Sequence, residues 1–234
     1  MPEERRFDVW VPETLDFQEA IRLKKKNLIE RLFRYWWAWC IVHEADPKVT
    51  EAFDLGCGSG YGARILCETN PGLIVYGLDA NEVAIAVGRQ EFRLDRQVSF
   101  RRVDLDRAWK GVVRNARPRL VTAFDLVERL SNRDTFFLAL VHVMDDDGLF
   151  LMNTEGKFVH DSLTNYTPDP PLKVRYSRND LLPLLRKFFH MVMTPEHKDF
   201  PAKAWLDQVN ENRRSALGHD LIACAGPRKD YGNA

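Results

Sequence analysis

The sequence has 234 residues, with 45% apolar and 29% charged side chains, a composition that fits a soluble globular protein of about one domain. Its formal net charge is zero, so no overall positive field favours nucleic acid or an anionic membrane. It contains no run of about 18 uncharged apolar residues, which argues against a transmembrane helix. The four cysteines form no C-x-x-C pair and have no histidine at zinc-finger spacing. The charged first ten residues do not resemble a secretory signal, so we expect reduced thiols, no metal and a cytoplasmic location.

An amphipathic helix is predicted over residues 17–42, after an irregular arm at 1–14, because apolar side chains recur there at helical spacing. Two interpretations stay open. The helix packs on the core with a solvated basic face, or it covers a ligand with Tyr35 or a neighbouring tryptophan facing the site. Residues 44–48 are predicted to be a linker. The expected organisation is an N-terminal arm and helical cap at 1–48, a main domain at 49–228 and a tail at 229–234.

A glycine-rich turn follows the first predicted strand. Gly56, Gly58 and Gly60 stand at alternate positions, directly after Asp54 and Leu55. Glycine is needed where φ is positive or where a ligand lies against bare main chain. The helix that starts after the turn offers unpaired N–H groups to a polar or anionic ligand. The G-x-G-x-G spacing differs from the G-x-G-x-x-G dinucleotide fingerprint, and a tight turn without a ligand is the alternative.

Strands and helices alternate along the rest of the sequence, which predicts a doubly wound α/β sheet. The predicted strands lie at 51–55, 73–78, 98–103, 120–124, 148–153, 189–193 and 221–225. The predicted helices lie at 60–68, 82–92, 134–143, 178–188 and 203–213. The tail from residue 226 onward is expected to be disordered.

Acidic residues follow several of these strands. Asp79 follows the second strand, Asp104 and Asp106 follow the third, and Asp125 follows the fourth. An acid after the second strand is able to accept hydrogen bonds from both ribose hydroxyls of a nucleoside, and capping of the next helix is its alternative role. Three adjacent acids at 145–147 are predicted to form a turn rather than a metal site.

Four segments resemble the class I S-adenosylmethionine-dependent methyltransferases. Residues 50–64, TEAFDLGCGSGYGAR, are similar to motif I of that family, whose usual form is close to LDLGCGTG. GLDAN at 77–81 resembles its GVDxS pattern, and DLVERL at 125–130 resembles its evIEHL signature, with Arg129 in the histidine position. PLKVRYSRNDLL at 171–182 resembles a segment of the methyltransferase type 11 or 23 group. The resemblance implies a seven-stranded, mostly parallel, Rossmann-like sheet with an antiparallel seventh strand.

The resemblance also implies that S-adenosylmethionine is the cofactor and that S-adenosylhomocysteine is its product. The residues it assigns to that cofactor are Asp54, Gly56, Gly58 and Gly60 for the methionine end, Asp79 for the ribose, Asp104 with Leu105 for the adenine, and Asp125 near the methyl group. Asp106 is the alternative acid for the adenine.

Methyl transfer from a sulfonium needs orientation and, for a hydroxyl acceptor, removal of a proton. Candidate catalytic bases are Asp125, Glu128 and His160, with Tyr166 as a weaker one. Glu128 fits the role of orienting the cofactor loop equally well, and a surface histidine is the alternative for His160.

We expect O-methylation of a sugar, a glycan or another small polar acceptor. N-methylation of a small amine or aminosugar is the alternative within the enzyme class, and a metal-assisted reaction is a further variant. A non-catalytic, S-adenosylmethionine-binding regulatory or scaffold protein is the alternative of a different class. No Asn-Pro-Pro-Tyr-type motif follows the fourth strand, so nucleic acid is disfavoured as a partner. The chain is expected to be a monomer or a homodimer.

Overall fold

The computed structural model describes most of the chain, namely residues 12, 15, 17–24, 26–45, 49–107, 109, 111, 116–153, 178–194 and 221–230. Its helices are α1 (Phe17–Arg22), α2 (Lys26–Ala45), α3 (Tyr61–Thr69), α4 (Glu82–Glu91), α5 (Arg133–Val143) and α6 (Arg178–Phe188). Its strands are β1 (Glu51–Leu55), β2 (Ile74–Asp79), β3 (Val98–Arg102), β4 (Leu120–Ala123), β5 (Leu149–Asn153), β6 (Phe189–Met193) and β7 (Leu221–Pro227). A 3₁₀ turn covers Val127–Arg129.

The seven strands form one sheet in the order β3-β2-β1-β4-β5-β7-β6. The pairs among β1 to β5 are parallel, whereas β7 is antiparallel to both β5 and β6. The predicted doubly wound sheet with an antiparallel seventh strand is therefore confirmed. Strands β1 and β4 lie in the middle of the sheet and are almost entirely buried, as expected of parallel strands covered on both faces.

Helices cover both faces of the sheet and divide the core into two clusters. One cluster joins α1 to α4 to the sheet through side chains such as Leu32, Leu66 and Ile85. The other joins α5 and α6 to the opposite face through Phe137 and Leu185, among others. Parallel strands end at one edge of such a sheet, so the loops after β1, β2, β3 and β4 come together there.

The N-terminal helical segment is two helices, so the prediction of one unbroken helix over 17–42 was wrong. Helix α1 ends at Arg22, and Lys24 has a left-handed φ of 55°. Residues 22–24 are exposed, and the buried apolar positions resume only at Leu28 and Ile29. A helix stabilised by packing lacks buried side chains at residues 22–24. Helix α2 also extends to Ala45, into the predicted linker.

The C-terminal strand is longer than predicted, and the expected disorder from residue 226 was wrong for 226–230. Pro227 pairs with Phe189, and the Arg228 backbone N–H donates to the Phe188 carbonyl at 2.8 Å. The other observed boundaries differ from the predicted ones by about one residue. The arm at 1–11, the loop at 155–169 and the predicted helix at 203–213 lie outside the described residues. Among the described helices, none is both long and apolar enough to cross a membrane.

Candidate active site

The glycine turn between β1 and α3 requires its three glycines. Gly56, Gly58 and Gly60 have φ values of 73°, 54° and 87°, all in the left-handed region. The Gly56 N–H donates to the Leu78 carbonyl at 2.7 Å, which fixes the turn to the end of β2. A β-carbon on Gly60 would lie 2.3 Å from the Phe100 ring, whereas one on Gly58 would have no neighbour within 4 Å. The turn therefore presents bare backbone to open space at Gly58.

Asp79 lies beside this turn at the end of β2. Its Oδ2 accepts from the Gly58 N–H at 2.9 Å, and its Oδ1 accepts from the Asn81 N–H at 2.8 Å. Asn81 caps α4 by accepting from two backbone N–H groups, so the capping role considered for Asp79 belongs to its neighbour. The carboxylate is half-buried at the edge where a ligand of the turn would lie.

Asp54 lies beneath the turn rather than on its surface. Its side chain is fully buried and accepts hydrogen bonds from the Thr122 hydroxyl at 2.8 Å and from the Tyr35 hydroxyl at 3.0 and 3.2 Å. Burial raises the pKa of Asp54 to about 7, although both hydroxyl hydrogen bonds act in the opposite direction. Asp54 therefore lies below the turn. Its carboxyl lacks the surface exposure that direct contact with a methionine amino group would need.

Asp125 follows β4 with a left-handed φ of 54°, which is uncommon for a residue other than glycine. Its Oδ1 accepts from Asn153 Nδ2 at 2.8 Å, and its Oδ2 is in an ion pair with Arg34 Nη1. Its backbone N–H donates to Asn153 Oδ1 at 2.7 Å. Arg34 and Asn153 together hold the pKa of the Asp125 carboxyl below its usual value, against the opposing effect of burial. Asp125 is therefore an oriented and ionised carboxylate.

Glu128 and Arg129 lie on the 3₁₀ turn that follows. The Glu128 side chain is buried, with 1% exposure. Arg129, which stands in the histidine position of the family signature, donates from Nε to the Asp125 carbonyl at 2.7 Å. This arginine thus stabilises the backbone that holds Asp125 in place.

The acids after β3 have separate environments. Asp104 is exposed and is 3.1 Å from Arg107 Nε, while the adjacent Leu105 is buried. Asp106 accepts from the backbone N–H groups of Ser131 and Asn132 at 2.5 and 3.0 Å. Asp104 and Leu105 therefore combine an accessible carboxylate with an apolar side chain, and Asp106 connects this loop to the start of α5.

The remaining sequence predictions concern His160, Tyr166 and the acids at 145–147. His160 and Tyr166 lie outside the described residues. The acids at 145–147 form the predicted turn, with the Gly148 N–H donating to the Asp145 carbonyl at 3.0 Å. Within the described part of the chain, no group of three or more histidine, cysteine, aspartate or glutamate side chains is suited to hold a metal ion.

The sequence analysis missed three residues of this edge: Arg34, Thr122 and Asn153. In the sequence, Arg34 belongs to the solvated basic face of the N-terminal helix. Its role is revealed only by its contact with Asp125, which lies 91 residues further along the chain. Thr122 and Asn153 are polar residues within buried strands. That pattern was a usable signal, because buried polar side chains require hydrogen-bond partners.

The glycine turn and the acids after β2, β3 and β4 all lie at the carboxyl edge of the parallel strands. Bare backbone at Gly58, a half-buried carboxylate at Asp79 and the Asp104–Leu105 pair make one row along that edge. A ligand with an adenosine part and an amino-acid part has the polar groups that this row is able to bind.

Comparisons with known proteins agree with this geometry. Residues 53–150 match a family model described as a methyltransferase domain. No curated protein sequence matches the chain. The matched segment runs from β1 to β5 and contains the glycine turn and all the acids discussed above.

Three solved structures with the same fold are methyltransferases. A plantazolicin methyltransferase in complex with S-adenosylhomocysteine has 12% sequence identity and a TM-score of 0.61, with 88% of each chain covered. An O-methyltransferase from a trans-AT PKS multienzyme of Brevibacillus brevis has 13% identity and a TM-score of 0.56, with 94% of this chain and 82% of that chain covered. Human N-acetylserotonin methyltransferase, in complex with S-adenosylmethionine, has 15% identity and a TM-score of 0.56, with 93% of this chain and 61% of that chain covered.

Proposed function

Because this chain is an S-adenosylmethionine-dependent methyltransferase with the class I fold, we propose that it methylates a hydroxyl group of a small polar acceptor, with sugars and glycans as the first candidates. The observation that carries the cofactor-binding part of the proposal is the glycine turn. Its left-handed backbone opens to free space at Gly58, directly beside the Asp79 carboxylate. The reducing state that its free cysteines imply supports a cytoplasmic location.

The cofactor supplies an activated methyl group on a sulfonium, and the residues of the turn and the strand ends would bind and orient it. The proposed assignments are the backbone of Gly56, Gly58 and Gly60 for the methionine end, Asp79 for the ribose, and Asp104 with Leu105 for the adenine. Asp54 lies beneath the turn, where hydrogen bonds join it to Tyr35 of α2, Thr122 of β4 and the Ala63 backbone of α3.

Proton removal from the acceptor is a separate requirement. A general base works best when its pKa is close to the working pH. The lowered pKa of Asp125 and its ion pair with Arg34 favour an orienting role for that carboxylate instead. The deep burial of Glu128 disfavours direct contact with an acceptor. His160 therefore remains the candidate base for a hydroxyl acceptor, with Tyr166 as the weaker one, because an unperturbed histidine side chain titrates near neutral pH.

The choice of a hydroxyl acceptor is supported by the segment at 171–182, which resembles methyltransferases associated with glycan and small-molecule modification. O-methyltransferases are also among the proteins that share the fold. The zero net charge supports a small acceptor over nucleic acid.

The proposal is tested by incubating the purified chain with methyl-labelled S-adenosylmethionine and pairs of acceptors that share one skeleton, such as a hexose and the corresponding 2-aminohexose. We expect label in the neutral sugar, with loss of transfer in Asp79→Ala. Transfer to the amino sugar alone would replace the proposal by N-methylation.

Two further outcomes would identify a non-catalytic binding protein or a metal-assisted reaction. Tight cofactor binding without transfer to any acceptor, alongside transfer by a known methyltransferase in the same assay, would favour the non-catalytic protein. Loss of transfer on addition of a chelator, and its recovery with Mg²⁺, would favour the metal-assisted reaction. An unchanged rate under both conditions is the expected result.

A further inference from the structure

Helix α2 contacts the candidate cofactor edge through two adjacent residues, Arg34 and Tyr35. Arg34 is in an ion pair with Asp125, and the Tyr35 hydroxyl donates to Asp54. The two acids belong to neighbouring parallel segments, since Asp54 is directly opposite Thr122 in the register of β1 and β4. Two adjacent residues of α2 therefore contact both the acid before the glycine turn, Asp54, and the acid after β4, Asp125.

Tyr35 fixes the approach of α2 to the start of α3. A β-carbon on Gly62 would lie 1.9 Å from Tyr35 Cζ, so the ring occupies the space that any larger residue at that position would need. The ring also makes edge contacts with Tyr61 and Phe124, with centroid distances of 5.4 and 5.0 Å. Tyr35 is buried and therefore acts as a packing and hydrogen-bonding residue beneath the site.

Arg34 connects α2 to the site from the other side. The Arg34 and Asp125 side chains are only 19% and 22% exposed, so water screens their attraction less than at an open surface. Asn153 holds the second carboxylate oxygen and fixes the direction in which Asp125 faces the guanidinium. The Arg34–Asp125 contact thus links the position of α2 to the orientation of Asp125.

We propose that Arg34 and Tyr35 are positioning residues that hold α2 as one wall of the cofactor site, so that they control how long the cofactor stays bound. The proposal rests on the cofactor assignment made above. It gives the N-terminal helix a role that combines both sequence interpretations, since α2 packs on the core and also contacts the supports of the site.

The fold of α2 does not depend on Arg34. Leu32, Trp37 and Ala38 of the helix are buried in the core cluster of that face, with exposures of 0 to 2%. Replacement of Arg34 should therefore leave α2 attached while loosening its position over the edge. This separation makes cofactor dissociation, rather than unfolding, the informative measurement.

The test measures dissociation of labelled S-adenosylmethionine from the full chain, chased with excess S-adenosylhomocysteine. Arg34→Met should accelerate dissociation about tenfold. A partly buried ion pair contributes more than an exposed pair and less than a fully buried one. Arg34→Lys should give an intermediate rate, because lysine keeps the charge but loses the planar guanidinium. Tyr35→Phe should accelerate dissociation about fivefold through loss of one hydrogen bond.

The matched control is Arg22→Met, which removes an exposed arginine–glutamate pair on α1 and should leave the rate unchanged. Arg34→Met in an Asp125→Asn background should add little to the single change, because the two residues act as a unit. Additive effects in that cycle, or equal rates for Arg34→Met and Arg22→Met, would overturn the proposal. If Arg34→Met unfolds, an Arg34→Lys rate equal to that of the wild type overturns it as well.

Failure of the cofactor assignment gives a different result. A folded wild-type chain that retains no labelled cofactor contradicts the assignment and this inference together. A wild-type chain that retains the cofactor, with variants that release it at the same rate, contradicts only the role of Arg34 and Tyr35.

Discussion

The buried carboxyl of Asp54 should make the stability of the protein fall as the pH rises. Its pKa is about 7 in the fold and near 3.8 for an ordinary aspartate. Between these values the folded chain holds one proton more than the unfolded chain, so the free energy of unfolding decreases with increasing pH. Full stabilisation from this group is present below the lower pKa and is lost as the pH passes the upper one. Between about pH 5 and about pH 8 the free energy of unfolding should fall by about 3 kcal/mol, which corresponds to roughly two pKa units.

Asp54→Asn removes the titration and nearly preserves the shape of the side chain. Urea unfolding of both proteins, followed by tryptophan fluorescence at about pH 5 and about pH 8, gives the free energy of unfolding in each case. Relative to the variant, the wild type should lose about 3 kcal/mol between the two conditions. Tyr35→Phe removes a hydrogen bond that lowers the pKa of Asp54, so in that variant the loss should shift to higher pH. An equal difference between wild type and Asp54→Asn at both pH values would refute the reasoning.

Three other substitutions test the backbone conformation of the glycine turn, the space around it and the packing of the core. Gly58→Ala places a methyl group in open space at a φ of 54°, so thermal unfolding should report only about 1–2 kcal/mol of strain, while calorimetry should show much weaker cofactor binding. Gly60→Ala adds a clash with Phe100 at 2.3 Å, and its loss of stability should exceed that of Gly58→Ala by about 1–3 kcal/mol. Equal stability of these two variants would contradict the turn geometry. Phe137→Ala should cost about 3–5 kcal/mol in urea unfolding, since Phe137 is fully buried between α5 and the sheet, and a cost under about 1 kcal/mol would contradict that packing.

The sequence was sufficient for the features that depend on local chemistry. The glycines of the turn were predicted from the need for left-handed backbone, and all three have positive φ. The positions of the strands along the chain were predicted from apolar segments separated by turn residues, whereas the antiparallel seventh strand was implied by the resemblance to the methyltransferase family. The break between α1 and α2 was missed, because helical spacing in the sequence continues past residues 22–24, whose side chains are exposed in the structure.

Contacts between distant segments were beyond sequence reasoning. Periodicity shows which face of a helix is buried, but it does not show which strand that face meets. Arg34 and Asp125 are separated by 91 positions, and neither is unusual in its own segment. The environment of Asp54 has the same origin, because its high pKa depends on burial beneath a turn and under α2.

The most direct test of the central claim is calorimetric titration of S-adenosylhomocysteine into the wild-type chain, Asp79→Ala and Glu82→Ala. Asp79 holds the glycine turn at 2.9 Å, whereas Glu82 is an exposed acid three positions away on α4. We expect micromolar binding by the wild type and by Glu82→Ala, and binding weakened at least about tenfold in Asp79→Ala. Absence of binding by the folded wild type, or equal affinity of the two variants, would contradict the assignment of this edge as the cofactor site.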